Sequence, residues 1–433
     1  MRKQNLEILV ACFLLINSCV TAQTGWFLQN SGQSYWNLNS VHFINQTTGF
    51  AAGNNGTLSM TTNSGLNWFL QTTGTNNDFN SIFFPSTNTG YIIGTGGVLV
   101  KSTDGGLNWN LYPAGTTDPQ YSIFFNNDNT GYVGAYNGNV LKTTDGGLNW
   151  NSYNTGSNAY LYSIFFLNIN TGFVCGYISG NPNVGVICKT TNGGLNWNYR
   201  NIPTMSIAFS LFFTTTSLGY CGGFVSGIPG VILNTTDGGV TWVTQYLSSG
   251  LIMSIYFSDS FTGYAGGSGG KVFKTTNGGA NWVPQQNLAT SNQLNSVYFN
   301  NNLTGYAVGS SGTIIKTTNG GNPLGIDPKQ RGIPKRFALF QNYPNPFNPT
   351  TKIQYMVAQN SHIELKVFDA AGHQAALLVN EQQTPGTYET EFDGSTYASG
   401  VYFYKLTITN DASAGLKDTE GLLSITRKMV MMK

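Results

Sequence analysis

The sequence predicts an all-β protein, a seven-bladed β-propeller followed by a small Ig-like β-sandwich, and three observations carry that expectation. A block of about forty residues recurs seven times between Ser40 and Gly321; each copy holds Ser, two apolar residues, a Gly-aromatic pair and then Thr/Ser-x-Asp/Asn-x-Gly. A period of that size marks stacked or radial repeats. Six copies close on Trp: Trp68, Trp109, Trp150, Trp197, Trp242 and Trp282. The pattern stops at Gly321, and residues of a different character follow.

One copy serves for all. Ser81 to Phe84 reads as a strand, Asn88-Thr-Gly90 as a turn and Tyr91 to Gly94 as a second strand. Gly94 to Gly97 reads as a tight hairpin, Val98 to Lys101 as a third strand, Ser102 to Gly106 as a turn and Trp109 onward as a fourth strand. Four antiparallel strands make a blade too small to bury its faces alone. The ring after the Gly recurs as Phe50, Tyr91, Tyr132, Phe173, Tyr220, Tyr264 and Tyr306, which places it between adjacent blades. The seventh copy lacks its Trp, whereas Trp26-Phe-Leu-Gln-Asn-Ser-Gly32 matches Trp68-Phe-Leu-Gln-Thr-Thr-Gly74. The N-terminal strand is therefore expected to complete the last blade and remove an open sheet edge.

The third turn has its own logic. Ser102, Asp104, Gly106 and Trp109 recur as Thr143, Asp145, Gly147 and Trp150, and as Thr235, Asp237, Gly239 and Trp242. Asn63, Asn192 and Asn277 take the Asp place ahead of Trp68, Trp197 and Trp282. An Asx side chain accepts from amides of its own turn, Gly permits positive φ, and the Trp plugs the blade edge. These turns resemble the Asp-box, or BNR repeat, of sialidases, sortilin-type receptors and certain glucanases. Over all seven copies the region is similar to propellers related to the photosystem II stability and assembly factor. That resemblance implies a fold and leaves function open.

The ends differ from the repeats. In residues 1–22, Arg2 and Lys3 precede an apolar run from Ile8 to Ile16, and Val20-Thr-Ala22 offers a cleavage site, which reads as a secretory signal peptide. A lipoprotein acylated at Cys19 is the alternative. The propeller is expected over 23–321, a linker over 322–336 and the sandwich over 337–433; no other stretch is apolar enough to span a bilayer. Alternating strands with Gly372, Gly386 and Gly400 at turns indicate the sandwich. Four segments carry a resemblance to the type A C-terminal sorting domain of the type IX secretion system: Tyr343-Pro-Asn-Pro-Phe347, Val367 to Gly372, Ser399-Gly-Val-Tyr402 and Lys428 to Lys433. The polar loop from Asp411 to Gly421 departs from the family pattern. The resemblance implies the secretion machinery as partner, export across an outer membrane, removal of the tail, and release or attachment at the cell surface. A carbohydrate-binding sandwich is the alternative.

Charge restricts the chemistry. Residues 24–321 hold six Lys, one Arg and seven Asp, and no Glu occurs between Glu7 and Glu364. So neutral a surface disfavours nucleic-acid binding. A sialidase needs an arginine cluster and a Glu partner, and glycosidases need paired carboxylates. Once the turn residues are set aside, Asp78, Asp118, Asp128 and Asp259 remain, and a hydrolase would use Asp118 or Asp259. His42 stands where other copies hold Phe or Tyr and has no His, Asp or Glu partner nearby in sequence, so a packed or solvent-lined residue is expected rather than a base or ligand. No cofactor or transition-metal site is expected; Asn126 to Asn129 leaves calcium as an alternative to an ordinary turn. Lys101, Lys142, Lys189, Lys274 and Lys316 share one strand position, interrupted by Met60 and Asn234, and read as solvated strand ends or a partial anion-holding ring. Cys175 and Cys188 are expected on neighbouring strands and the same face, offset diagonally; with Cys221 they read as buried thiols.

A binding surface is expected where repeat length varies. The second hairpin grows between Gly176 and Gly185 in blade four and between Gly222 and Gly230 in blade five, on the face opposite the Asp-box turns. Tyr160, Tyr162, Tyr177, Tyr199, Arg200, Phe224 and Tyr246 surround these loops and suit a protein or glycan ligand. The expected function is a secreted or surface-displayed, non-catalytic binding protein, with a polysaccharide hydrolase and a structural surface-layer component as alternatives.

Overall fold

The computed structural model describes residues 25–32, 35–180, 182–247, 250–285, 289–322, 337–410 and 423–432. The expected signal peptide, Cys19, nearly all of the expected linker and the loop from Asp411 to Gly421 lie outside them. The chain divides near residue 324 into two compact units. The first holds seven four-stranded antiparallel sheets, and their inner strands pack against one another in a closed circle. Blade two runs Phe79–Phe83, Gly90–Gly94, Leu99–Ser102 and Asn110–Tyr112 from axis to rim. Its second hairpin turns on Gly96 and Gly97, at φ of 64° and 67°, where a side chain would be strained.

Blade seven closes the ring. Its strands Leu294–Phe299, Gly305–Gly309 and Ile314–Thr317 are joined by Phe27–Gln29, with Phe27 opposite Lys316 and Gln29 opposite Ile314. The turn of the last copy reaches across the same join, because the Gly25 amide donates to Asn319 Oδ1 at 3.3 Å. Trp26, 3% exposed, fills the place of the missing Trp.

The repeated Gly-aromatic pair has a packing cause. The Phe that ends each inner strand, or in blade two Phe84 just after it, folds over the Gly, where a Cβ would stand 2.3–2.6 Å from the ring in all seven blades. That Phe then stacks on the aromatic of the preceding blade with centroids 3.7–4.9 Å apart. The Trp of its own blade meets it edge-on at 5.7–6.1 Å. Such edge and offset contacts are the favoured aromatic arrangements. The repeated Ser has an equally local role: each Oγ accepts the backbone amide of an apolar residue in the next blade at 2.9–3.4 Å. Seven such bonds form an unbroken ring.

The lysines link blades. Lys101, Lys142, Lys189, Lys274 and Lys316 each donate Nζ to a carbonyl in the next blade's Asp-box turn at 2.7–2.8 Å. Each also lies 5.3–5.7 Å from the aromatic ring of its own blade's second strand. Their ammonium groups are spent on backbone rather than gathered round an anion. Burial holds Lys101, Lys142 and Lys316 below the usual lysine pKa. Tyr hydroxyls reinforce five joints, as with Tyr91 on Gly146 O at 2.8 Å.

Two expectations are corrected here. The insertions in blades four and five are not simple loops: Gly172–Ile178 stays paired with Val184–Thr190 as far as Ile178 and Val184, and Gly219–Val225 stays paired with Ile228–Thr235 as far as Val225 and Ile228. The added residues lengthen a two-stranded ribbon, which satisfies their backbone groups. Cys175 and Cys188 lie on opposite faces, because Cys188 sits opposite Val174 and Cys175 opposite Ile187. A register one residue away from the expected one moves a side chain through the sheet.

The second unit is a sandwich of two sheets. One holds Ala338–Leu339, Thr350–Val357 and Gly386–Asp393; the other holds Gln374–Gln383, Ser361–Phe368, Gly400–Asn410 and Leu423–Met431. Ile353, Tyr355, Val367, Tyr404 and Leu406 share its core. Phe347 is buried there, its amide bonded to Val430 O at 3.0 Å and its carbonyl accepting from the Met432 amide at 3.0 Å. The Pro-rich run thus holds the terminal strand.

Candidate functional site

The site is built on the inner strands. Facing the axis, His42, Phe83, Phe124, Phe165, Phe212, Tyr256 and Tyr298 form a closed circuit of rings with successive centroids 5.1–5.5 Å apart. This aromatic collar lines the centre of the propeller, and each of its side chains keeps partial exposure. Burial pushes His42 down to about 4, so the imidazole is neutral at physiological pH.

Toward the hairpin face, each inner strand bulges by one residue just before its Ser. The bulged residues are Asn39, Asn80, Tyr121, Tyr162, Phe209, Met253 and Asn295. One side of the mouth is amide: Asn39, Asn80 and Asn295 donate to Phe79, Gln120 and Leu38 carbonyls of the next blade at 2.7–3.0 Å. The other side is aromatic.

Six rings gather on that aromatic side. Tyr136 and Tyr160 stand 5.0 Å apart, Tyr160 and Tyr177 4.8 Å, Tyr162 and Tyr177 5.7 Å, Tyr121 and Tyr162 5.1 Å, and Tyr162 and Phe209 5.6 Å. Tyr160 and Tyr177 are directly cross-strand partners, because the blade-four ribbon is long enough to pair them. Burial, with neighbouring Tyr160 next, pushes Tyr121 up to about 12. Burial first, and then its neighbours, raises Tyr162 and Tyr160 too. The hydroxyls therefore stay neutral and offer both donor and acceptor.

Sequence reasoning placed Tyr160, Tyr162 and Tyr177 here and missed Tyr121, Tyr136 and Phe209. The missed signal is the variable residue before each repeated Ser, together with the hairpin tip of blade three. Tyr199, Arg200 and Tyr246 are not brought to the cluster. They lie on the outer strands Asn198–Ile202 and Val243–Tyr246, and Arg200 donates to the Val240 carbonyl at 2.9 Å. Phe224 lies in the blade-five ribbon opposite Ile207, and no ring contact joins it to the cluster among the described residues.

The Asp-box residues form a repeated turn. Ser102 Oγ donates to Asp104 Oδ1 at 2.8 Å and accepts the Gly106 amide at 2.9 Å, while Asp104 Oδ1 also takes the Asn108 amide at 3.0 Å. Bonds from Asn108 and Ser102 hold the Asp104 carboxyl down to about 2; those from Asn149 and Thr143 do the same for Asp145. Asp237 is lowered as well, chiefly by Thr241. Asn63, Asn192 and Asn277 accept the equivalent bonds without charge.

Of the remaining acids, Asp259 caps the first turn of blade six and accepts from Asn302 at 2.6 Å. Asp118 sits in a link on the opposite face, close enough to Tyr121 to act on it electrostatically. Among the described residues no His, Cys, Asp and Glu group has a metal-holding arrangement.

Residues 21–119 and 156–252 match the family model of the photosynthesis system II assembly factor YCF48, and residues 341–415 match that of a secretion system C-terminal sorting domain. The chain is a BNR-type propeller carrying a type IX sorting domain. This BNR-type propeller is similar to a solved structure of YCF48 bound to D1 peptide, at 18% identity and a TM-score of 0.58, covering 69% of this chain and 98% of that one. It is also similar to YCF48 from Cyanidioschyzon merolae, at 16% identity and 0.56, covering 68% and 98%. The WD40 propeller domain of Doa1 aligns at 14% identity and 0.54, covering 68% and 96%. No match emerged among curated proteins. The sorting domain directs the BNR-type propeller to the cell surface or the extracellular space. No helix among the described residues is long and apolar enough to cross a membrane.

Proposed function

We propose that the exported propeller is a non-catalytic binding module whose ligand, an extended stretch of polypeptide, lies on the hairpin face over blades three to five. The observation that carries this reading is the six-ring cluster of Tyr121, Tyr136, Tyr160, Tyr162, Tyr177 and Phe209 at the mouth of the axis. Tyr is suited to such a role, since its rigid ring offers area at small entropic cost and its hydroxyl pairs with backbone amides and carbonyls. The peptide bound to the similar YCF48 supports a polypeptide over a sugar. Among the described residues of the propeller no two free carboxylates are paired, and Asp118 and Asp259 lie in turns on opposite faces, which favours binding over hydrolysis. Residues 1–22 serve as the export leader in this reading, and 322–336 as the connection to the sorting domain.

Panning a displayed peptide library on the purified protein tests the reading. Enriched peptides should bind at least tenfold more weakly to Tyr160→Ala/Tyr177→Ala, while Tyr199→Ala and Tyr246→Ala leave binding unchanged. Equal binding by the double variant would move the site elsewhere. Retention on a glycan array without peptide binding would replace the polypeptide with a sugar, and turnover of any glycan would end the non-catalytic reading.

A further inference from the structure

The cysteines of blades four and five are placed by strand alternation. Along Gly172–Ile178, Phe173 stacks on Phe213 of blade five, so Cys175, two residues on, faces blade five as well. Along Gly219–Val225, Tyr220 stacks on Phe257 of blade six, so its neighbour Cys221 faces back toward blade four. Both are buried free thiols in this structure and share one apolar cluster with Ala208, Leu211 and Val231. Cys188 faces the other way, packed with Tyr132 and Ile164.

We propose that Cys175 and Cys221 are joined by a disulfide in the exported protein, stapling blade four to blade five, while Cys188 remains a thiol. Packed sheets accept such a bridge through their shared core, and an exported chain meets oxidising surroundings in which bridges persist. The oxidant is a dithiol oxidoreductase in its disulfide form. One cysteine thiolate attacks the oxidant's disulfide and releases one of its sulfurs as a thiol; the second cysteine thiolate then attacks the mixed disulfide and releases the other. Two protons pass to the oxidant, which leaves as a dithiol. Both sulfurs are fully buried once the blades pack. The exchange therefore belongs to the folding chain, before water and catalyst are excluded.

Full-length protein collected from the exporting cells without reductant, denatured in iodoacetamide and mapped by tandem mass spectrometry decides the matter. Cys175 and Cys188 share the tryptic segment between Lys142 and Lys189, so fragmentation within it is needed. The expected result is a Cys175–Cys221 link with Cys188 alkylated. Alkylation of all three, or a link through Cys188, overturns the proposal. Reductant should also lower the wild-type Tm by ~5 °C and leave that of Cys221→Ser unchanged; equal shifts in both would likewise overturn it.

Discussion

His42 and Tyr298 close the aromatic collar, with ring centroids 5.2 Å apart and a tilt of 48°, across the boundary where the last blade meets the first. His42 also packs on Phe83 and Phe84, so rings surround the one side chain of the collar that can gain a proton.

Acid should therefore weaken the propeller through this residue. In the folded chain His42 titrates at about 4, against 6.5 for the exposed group. Between those values the unfolded chain holds more protons than the folded one, so stability falls as pH drops from 6.5 toward 4. The loss is about 2–3 kcal/mol. Urea titrations at pH 7 and pH 4 should show His42→Phe losing that much less than wild type. Parallel losses in the two proteins would remove His42 as the cause.

The joint between blades one and two lacks the lysine clamp, because Met60 holds its position and Phe50 has no hydroxyl. Met60→Lys should place an ammonium near Phe50 and within reach of the Gly105 carbonyl, adding about 0.5–1 kcal/mol. Lys101→Met should cost about 1–2 kcal/mol at the next joint. Chemical denaturation of both variants reads the two signs, and destabilisation by Met60→Lys would show that this joint has no room for the clamp.

Asp and Asn alternate freely in the third turn because both present the same Oδ1 acceptor. Asp145→Asn should leave Tm near wild type, whereas Asp145→Ala removes the acceptor for Thr143 and Asn149 and should lower it. Since the Asp145 carboxyl lies near 2, Asp145→Asn should also behave like wild type from pH 4 to 8. Differential scanning calorimetry across that range checks both statements.

Trp26→Ala should cost about 3–5 kcal/mol, in line with truncation of a buried Trp. Its effect should be local, with faster amide exchange concentrated at Ile314 to Lys316, the partners of the first strand. Uniform exchange across all blades would instead mean that closure is coupled to the whole ring.

The fold was legible because its information is periodic. Repeated Gly, Ser and Trp each report one packing constraint, and even the displaced Trp26 kept its sequence neighbours. Contacts between copies were not legible: Lys101 reads as a strand-end charge until the Gly146 carbonyl of the next blade stands 2.8 Å away. The same limit governs the candidate site. Tyr199 and Arg200 read as neighbours of Tyr177 along the chain, yet the strand Val184–Thr190 intervenes and carries them to the rim. Tyr121 and Phe209 were missed because a one-residue bulge, invisible in a simple alternation, turns them to the axis. The cysteine faces failed for a related reason, since parity along a strand is lost when register slips by one.

Gly25 and Asn319, far apart in sequence, share a hydrogen bond inside one blade. The propeller consequently has no architectural first blade, and its gene could be opened at another inter-blade link and rejoined here with the same ring restored. The position of the ends is thus a matter of chain order rather than shape, which leaves export signals free to sit at either terminus without interrupting a sheet.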